Sequence, residues 1–147
     1  MMSSILYREG VYLLSAILLL LTGMFTPALV SGATASGVLD GKTFVVEQGE
    51  KGEKAEYTDT LIFKDGRFRS TGCDQYGFGD GAYTTKVDGD TIQFVADTMS
   101  EKKGKMHWEG TIKGGMIDVS YVWTDRAHWY KPFPGPREYW AKGELQK

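Results

Sequence analysis

Two-residue alternation of apolar and polar side chains, interrupted at short intervals by turn-forming pairs, runs through most of the chain after Ser36. This period places every second side chain on the same face of a strand. Asp65–Gly66 and Asp88–Gly89 are strong hairpin signals, because glycine adopts the positive φ that tight turns between strands require. Gly114–Gly115 marks a further turn. Helical periodicity is hard to find in this part of the chain, so the pattern predicts an all-β domain.

The alternation predicts eight short strands, at residues 42–48, 57–64, 67–71, 81–87, 91–98, 106–113, 116–124 and 137–145. Sequential hairpins make an up-and-down antiparallel meander, and closing the meander removes the edges that would otherwise aggregate. A two-sheet sandwich would need longer crossover connections. The predicted fold is therefore an eight-stranded up-and-down antiparallel barrel. A barrel of this size has room inside for side chains or for one small ligand.

The length, the meander and the segment Leu39–Phe44 resemble the calycin group of lipocalin-like barrels. The chain departs from the lipocalin signature Gly-x-Trp, since Gly41 is followed by Lys42 and Thr43, with Phe44 one place later. The segment from Phe68 to Phe78 is similar to one in small exported bacterial proteins of unassigned function. The resemblance implies a barrel that binds a small apolar molecule inside, and it transfers no catalytic residue.

The first 35 residues differ in character from the rest. The segment from Val11 to Phe25 is apolar apart from three residues, and small residues follow it. A short apolar core before a small-x-small site is typical of a secretory signal peptide, which predicts cleavage after Ala35 or, alternatively, after Ala33. An uncleaved anchor would need about 20 apolar residues, and a stretch of that length here includes Pro27. We expect a signal peptide at 1–35 and one domain at 36–147.

The charge balance and the signal-like segment limit the partners and the location that we expect. Lys and Arg number 17 against 19 for Asp and Glu, a net charge of -2. Nucleic-acid binding needs a basic excess for phosphate contacts, so no nucleic-acid partner is expected. Cleavage of the signal peptide would leave no stable membrane span. The predicted location is periplasmic or secreted, in a bacterial envelope.

The inferred inner wall of the barrel is rich in aromatic side chains. Those assigned to ligand binding are Tyr83, Phe94, Trp108, Tyr121, Trp123 and Tyr139, and Phe44, Phe63 and Phe68 share their inward phase. Such rings suit a cavity for a small apolar molecule. They equally suit a barrel filled by its own core. Gly110 and Gly143, also in phase, would either open space or let a ring pack over them.

Two connections are expected to gate the mouth of the barrel. Residues 72–81 contain Cys73, Tyr76 and Phe78, and residues 125–136 contain His128, Trp129 and three prolines. The alternative for residues 72–81 is a lid of packed aromatic side chains, and the alternative for residues 125–136 is a rigid flap. Because Cys73 is the only cysteine, it has no intramolecular disulfide partner, and we expect it to be buried. A mixed disulfide or a dimer through Cys73 is the functional alternative.

Metal, cofactor and catalytic motifs are not found. His107 and His128 are far apart and have no acidic neighbours at zinc-ligand spacing, and the aspartates of 72–81 lack the spacing of a calcium loop. Gly77–Phe78–Gly79 precedes no helix, which argues against a dinucleotide cofactor. Nucleophile and metalloprotease motifs are missing, and Cys73 has no evident base.

We therefore expect an exported, non-catalytic barrel that binds a small hydrophobic or aromatic molecule in its interior. The alternative is an envelope interaction or structural protein that has a filled core and a protein-binding aromatic loop at 125–136. A barrel enzyme, such as an isomerase or cyclase using Tyr and His, is a third reading that no spacing supports.

Overall fold

The computed structural model describes residues 34–35, 37–126 and 135–147. The chain divides into two units, 1–30 and 31–147, and the first lies outside the described residues. The predicted signal segment therefore falls almost wholly outside them as well. The second unit contains β1 (Thr34–Ala35), β2 (Thr43–Glu50), β3 (Tyr57–Lys64), β4 (Arg67–Ser70), a 3₁₀ helix (Thr71–Tyr76), β5 (Gly81–Asp88), β6 (Thr91–Ser100), β7 (Gly104–Lys113), β8 (Met116–Thr124) and β9 (Arg137–Leu145).

Strands β2 to β9 form a closed antiparallel barrel. Each strand pairs with the next along the chain, and β9 returns to pair with β2. The eight-stranded up-and-down barrel predicted from the alternation is thus confirmed. The strands β6 and β7 extend further towards their shared connection than predicted, to Ser100 and from Gly104.

A short extra strand, β1, was not predicted. On one side of β5, β4 pairs only with Gly81 and Ala82. β6 occupies the opposite edge of β5. Thr34 and Ala35 therefore pair with Lys86 and Thr85 on the edge that β4 leaves open. Cleavage after Ala35 would remove this strand, whereas cleavage after Ala33 would keep it.

The two ends of the barrel differ. At one, here called the turn end, tight turns join β3 to β4, β5 to β6 and β7 to β8. Asp65 and Gly66 both have positive φ, 52° and 72°, as a primed hairpin turn requires. At the other, here called the loop end, the longer connections at 51–56, 71–80, 101–103 and 125–136 emerge. Residues 127–134 of the last connection lie outside the described residues.

The segment before β2 closes the turn end. The backbone N–H of Leu39, a fully buried residue, donates to the Tyr83 hydroxyl at 3.0 Å, and that hydroxyl donates to Asp40 at 2.8 Å. The Asp40 carboxylate also accepts from the backbone N–H of Gly66 at 2.9 Å. Burial, followed by the bond to Asp40, raises the pKa of Tyr83 to about 12. These hydrogen bonds, of which the one from Leu39 is buried, tie the segment to two hairpins across the turn end.

A packed aromatic cluster fills the barrel interior towards the turn end. Phe63 lies at its centre, with ring centroids 5.2 Å from Phe68, 5.1 Å from Tyr83 and 5.0 Å from Phe94. A Cβ at Gly110 would lie 2.2 Å from the Phe94 ring. Of the two roles open to Gly110, the structure has the ring packed over it.

The outer face carries a small charge cluster on β6 and β7. Nδ1 of His107 lies 2.7 Å from Asp97, and Nε2 lies 3.3 Å from Glu109. The hydrogen bond with Asp97 is the main cause that raises the pKa of His107, and Glu109 adds to it. The cluster lies on the opposite face of the sheet from the interior, where its ion pairs contribute to stability and do not reach the cavity.

Candidate functional site

A cavity of about 440 Å³ lies at the loop end of the barrel. The first strands contribute Gln48, Tyr57 and Thr58 to its wall, and the 3₁₀ helix and the residues next to it contribute Gly72, Cys73, Gln75, Tyr76 and Phe78. The remaining described wall residues are Lys103, Met106, Tyr121, Trp123, Arg137 and Tyr139. Small-molecule sites commonly enclose about 300–1,000 Å³. The barrel interior is thus filled towards the turn end and hollow towards the loop end.

Three stacked rings connect the packed core to the cavity. Trp108, Tyr121 and Tyr139 are direct cross-strand partners on β7, β8 and β9, which brings their side chains together on the inner face. The centroids of Trp108 and Tyr121 are 4.2 Å apart, and those of Tyr121 and Tyr139 are 5.0 Å apart with planes only 10° from parallel. The Arg137 guanidinium lies 5.6 Å from the Tyr139 ring centroid. One wall of the cavity is therefore a continuous aromatic stack.

A buried carboxylate lies beside the cavity. Asp59 occupies an inward position of β3 and is only 3% exposed. It accepts hydrogen bonds from the backbone N–H groups of Thr60 and Gly72, both at 2.6 Å, the Thr71 hydroxyl at 3.0 Å, the Ser70 hydroxyl, and the Gln48 amide at 3.4 Å. Multiple donors offset the loss of hydration that burial of a charge entails.

Asp59 positions the 3₁₀ helix that forms one side of the cavity. Three of its donors come from consecutive residues, 70–72, where β4 ends and the helix begins. A Cβ at Gly72 would lie 3.1 Å from the carboxylate carbon of Asp59, so glycine lets the backbone approach this closely. The carboxylate thereby ties the beginning of the helix to β3.

The polar groups below the cavity are hydrogen-bonded to one another. The Tyr121 hydroxyl donates to the side-chain oxygen of Gln48 at 3.1 Å, and the Trp108 indole donates to the Thr98 hydroxyl at 3.0 Å. Within the described residues, no buried side-chain nitrogen or oxygen lacks a partner. Burial is the largest cause that raises the pKa of Tyr57, Tyr121 and Tyr139. These hydroxyls therefore stay protonated at neutral pH.

Cys73 is buried, as expected, at 7% exposure. Its sulfur lies 3.6 Å from the Met106 sulfur across the cavity floor. Burial, with a smaller effect from the nearby Asp59, raises the pKa of the Cys73 thiol to about 11. Thiolate is the reactive form of cysteine, so this environment favours an inert thiol.

Two cations and no carboxylate belong to the described wall of the cavity. Arg137 is held by both carboxylate oxygens of Glu50, at 2.7 and 3.3 Å. Lys103 accepts from the Trp123 indole through its backbone carbonyl at 2.8 Å. Its side chain forms no ion pair with any carboxylate in the described ranges.

The predicted site residues separate into three groups. Those that line the cavity are Tyr121, Trp123, Tyr139, Cys73, Tyr76 and Phe78. Tyr83, Phe94 and Trp108 are at most 1% exposed and belong to the packed core below it. His128 and Trp129 lie outside the described residues.

Several wall residues were not singled out by the sequence analysis. Gln48 and Tyr57 in the wall, and Asp59 beside it, share the inward phase of Phe44 and Leu61 on their strands, so the alternation contained a signal for them. Gln48 and Asp59 differ from the aromatic wall residues in the polarity of their side chains and not in their phase along the strand. Arg137, the first residue of β9, shares the inward phase of Tyr139 and Ala141. Lys103 lies in a connection and carried no comparable signal.

Within the part of the chain that is described, no group of three or more His, Cys, Asp or Glu side chains is arranged to hold a metal ion. No helix among these residues has the length and apolar character needed to cross a membrane. No protein-family model, no curated protein and no solved structure matches this chain.

Proposed function

We propose that the protein is an exported, non-catalytic, lipocalin-like barrel that binds a small hydrophobic or aromatic molecule in the cavity at its loop end. The observation that carries the proposal is the cavity itself, about 440 Å³ with six aromatic side chains in its described wall. Export rests on the signal-like segment at 1–35 and places the protein in the periplasm or outside the cell.

The chemistry of the wall supports binding by ring contacts. Aromatic side chains bury large areas and prefer offset-stacked or edge-to-face partners. Tyr121 and Tyr139 already form a nearly parallel stack that a further planar group can extend. The raised pKa values of Tyr121, Tyr139 and Cys73 keep these groups protonated, which disfavours a role as general base or nucleophile at neutral pH.

The alternative of an interaction protein with a filled core is less well supported. The turn end is filled, but the loop end is not. The aromatic loop at 125–136 on which that alternative relies lies mostly outside the described residues.

The test is titration of the purified protein, expressed from the whole chain, with the neutral fluorescent probe N-phenyl-1-naphthylamine. We expect a saturable rise in fluorescence with one site per chain. Met106→Trp places a large ring on the cavity floor and should weaken binding at least tenfold. Met99→Trp is the matched control, because Met99 is 62% exposed on β6 and lines no part of the cavity.

Urea unfolding of each variant establishes that it is folded before the probe is added. If Met106→Trp does not fold, Trp123→Ala provides a second cavity variant. Absence of saturable binding to the wild type would overturn the proposal. Equal weakening by Met99→Trp and Met106→Trp would place the probe outside the cavity and would overturn it as well.

A further inference from the structure

Resting on this proposed function, we infer that the cavity selects an aromatic carboxylate, with the ring against the Tyr121–Tyr139 wall and the carboxylate beside Lys103. The cavity floor, the aromatic wall and the distribution of charge each favour one part of such a ligand.

The cavity floor favours an apolar group at the inner end of the ligand. Gln48 uses its amide N–H towards Asp59 and its oxygen towards Tyr121. The Cys73 and Met106 sulfur atoms face each other. Since every buried side-chain polar atom in the described residues has a partner, a polar ligand group placed here would lose water without gaining a free donor or acceptor.

The aromatic wall favours a planar ring over a flexible chain. The planes of Tyr121 and Tyr139 lie within 10° of each other. A rigid ring gains stacking contacts with such a wall. It also loses less rotational freedom on binding than an acyl chain of the same size.

The charge distribution favours a negative group at the outer end. The described wall contains Lys103 and Arg137 and no carboxylate. Among the acids near the wall, Glu50, Glu138 and Asp74 pair with Arg137, Lys51 and Arg69. The buried Asp59 carboxylate is held by five donors. Glu56 acts on Tyr57, Arg137 and Tyr139, since its negative charge raises the pKa of each. Because Glu50 offsets the charge of Arg137, Lys103 is the cation whose charge remains available to a ligand among the described wall residues. Hydrogen bonds to a charged group are stronger than those between neutral groups.

The test compares 2-naphthoate with 2-naphthamide, which have the same ring system and nearly the same shape but differ in charge. Isothermal titration calorimetry on the purified protein should give about tenfold tighter binding for naphthoate, a difference in line with one charge-assisted contact. Lys103→Met should remove most of that preference and leave naphthamide within about twofold. Lys103→Arg should retain it. Lys102→Met is the matched control, since Lys102 is exposed and lines no part of the cavity.

Each result has a distinct meaning. Equal binding of the acid and the amide would overturn the inference and leave the proposed function standing. Failure of both compounds, together with failure of neutral apolar probes, would overturn the proposed function itself. A preference that survives Lys103→Met, or that Lys102→Met reduces equally, would overturn the role of Lys103. A preference that falls between 50 and 500 mM NaCl and disappears with Lys103→Met would support it.

Discussion

Replacing Asp59 by alanine tests the role of the buried carboxylate. The substitution removes the acceptor used by five donors. The hydroxyls of Ser70 and Thr71 can rotate towards other partners, but the backbone N–H groups of Thr60 and Gly72 cannot. A buried donor left unsatisfied costs about 1–3 kcal/mol. Because both N–H groups are only partly buried, we expect a total loss of about 2–4 kcal/mol.

Asparagine at position 59 should be milder. Its oxygen can keep the donors on one side of the carboxylate, while its NH₂ faces Ser70 and Gln48, whose side chains can reverse their roles. We expect a loss of about 1–2 kcal/mol, close to that of one hydrogen bond. Asp118→Ala and Asp118→Asn are matched controls, because Asp118 is exposed and pairs with Lys142 on the surface. Such a pair contributes about 0–1 kcal/mol.

The assay is urea unfolding followed by tryptophan fluorescence, with the slope of the transition compared between variants. Amide hydrogen exchange provides a local measurement, since the N–H of Gly72 should exchange faster in Asp59→Ala. A free energy of unfolding of Asp59→Ala within about 0.5 kcal/mol of the wild type, the range typical of neutral surface changes, would contradict a stabilising role for the carboxylate. An equal loss in the Asp118 variants would contradict it as well.

Four further substitutions, one of them a control, have expected outcomes. Tyr83→Phe removes the hydroxyl that bridges two groups at the turn end and should lower the free energy of unfolding by about 1–2 kcal/mol in urea. Gly110→Ala should destabilise by about 1–3 kcal/mol, since its Cβ would meet the enclosed Phe94 ring at 2.2 Å. Gly79→Ala, with open space around it, should unfold like the wild type. His107→Gln should be pH-dependent. The pKa of His107 is raised in the folded state, so its contribution is fully present below pH 6.5 and is lost as the pH rises through the folded value. Because the imidazole is 40% exposed, the loss in urea should be at most about 0.5 kcal/mol at pH 5.5 and close to zero at pH 9.

The fold was more predictable from the sequence than the site. A two-residue period and turn pairs act locally, so they located all eight barrel strands without knowledge of the partners. The two-residue β1 was missed because its pairing with Thr85 and Lys86 depends on where β4 leaves β5, which is a tertiary property. The inward phase correctly placed Tyr83, Phe94 and Trp108 inside the barrel. It could not say how deep along the axis each ring lies, and depth separates the filled core from the cavity.

The depth of an inward side chain along the barrel axis nevertheless follows from the position of its residue along the strand. From the turn end to the loop end, the inward positions of β2 are Phe44, Val46 and Gln48, and those of β3 are Phe63, Leu61 and Asp59. The inward positions of β6 follow the same course, from Phe94 through Ala96 to Thr98 and Ser100. Neighbouring strands of an antiparallel barrel run in opposite directions. The change from apolar to polar inward residues is therefore seen only when the sequences of alternate strands are read backwards. Read in this way, β2, β3 and β6 each place their polar inward residues towards the loop end. A ligand bound on the loop-end side of these residues can displace water from the cavity while the aromatic core stays covered, and the Trp108–Tyr121–Tyr139 stack connects the core to the cavity wall.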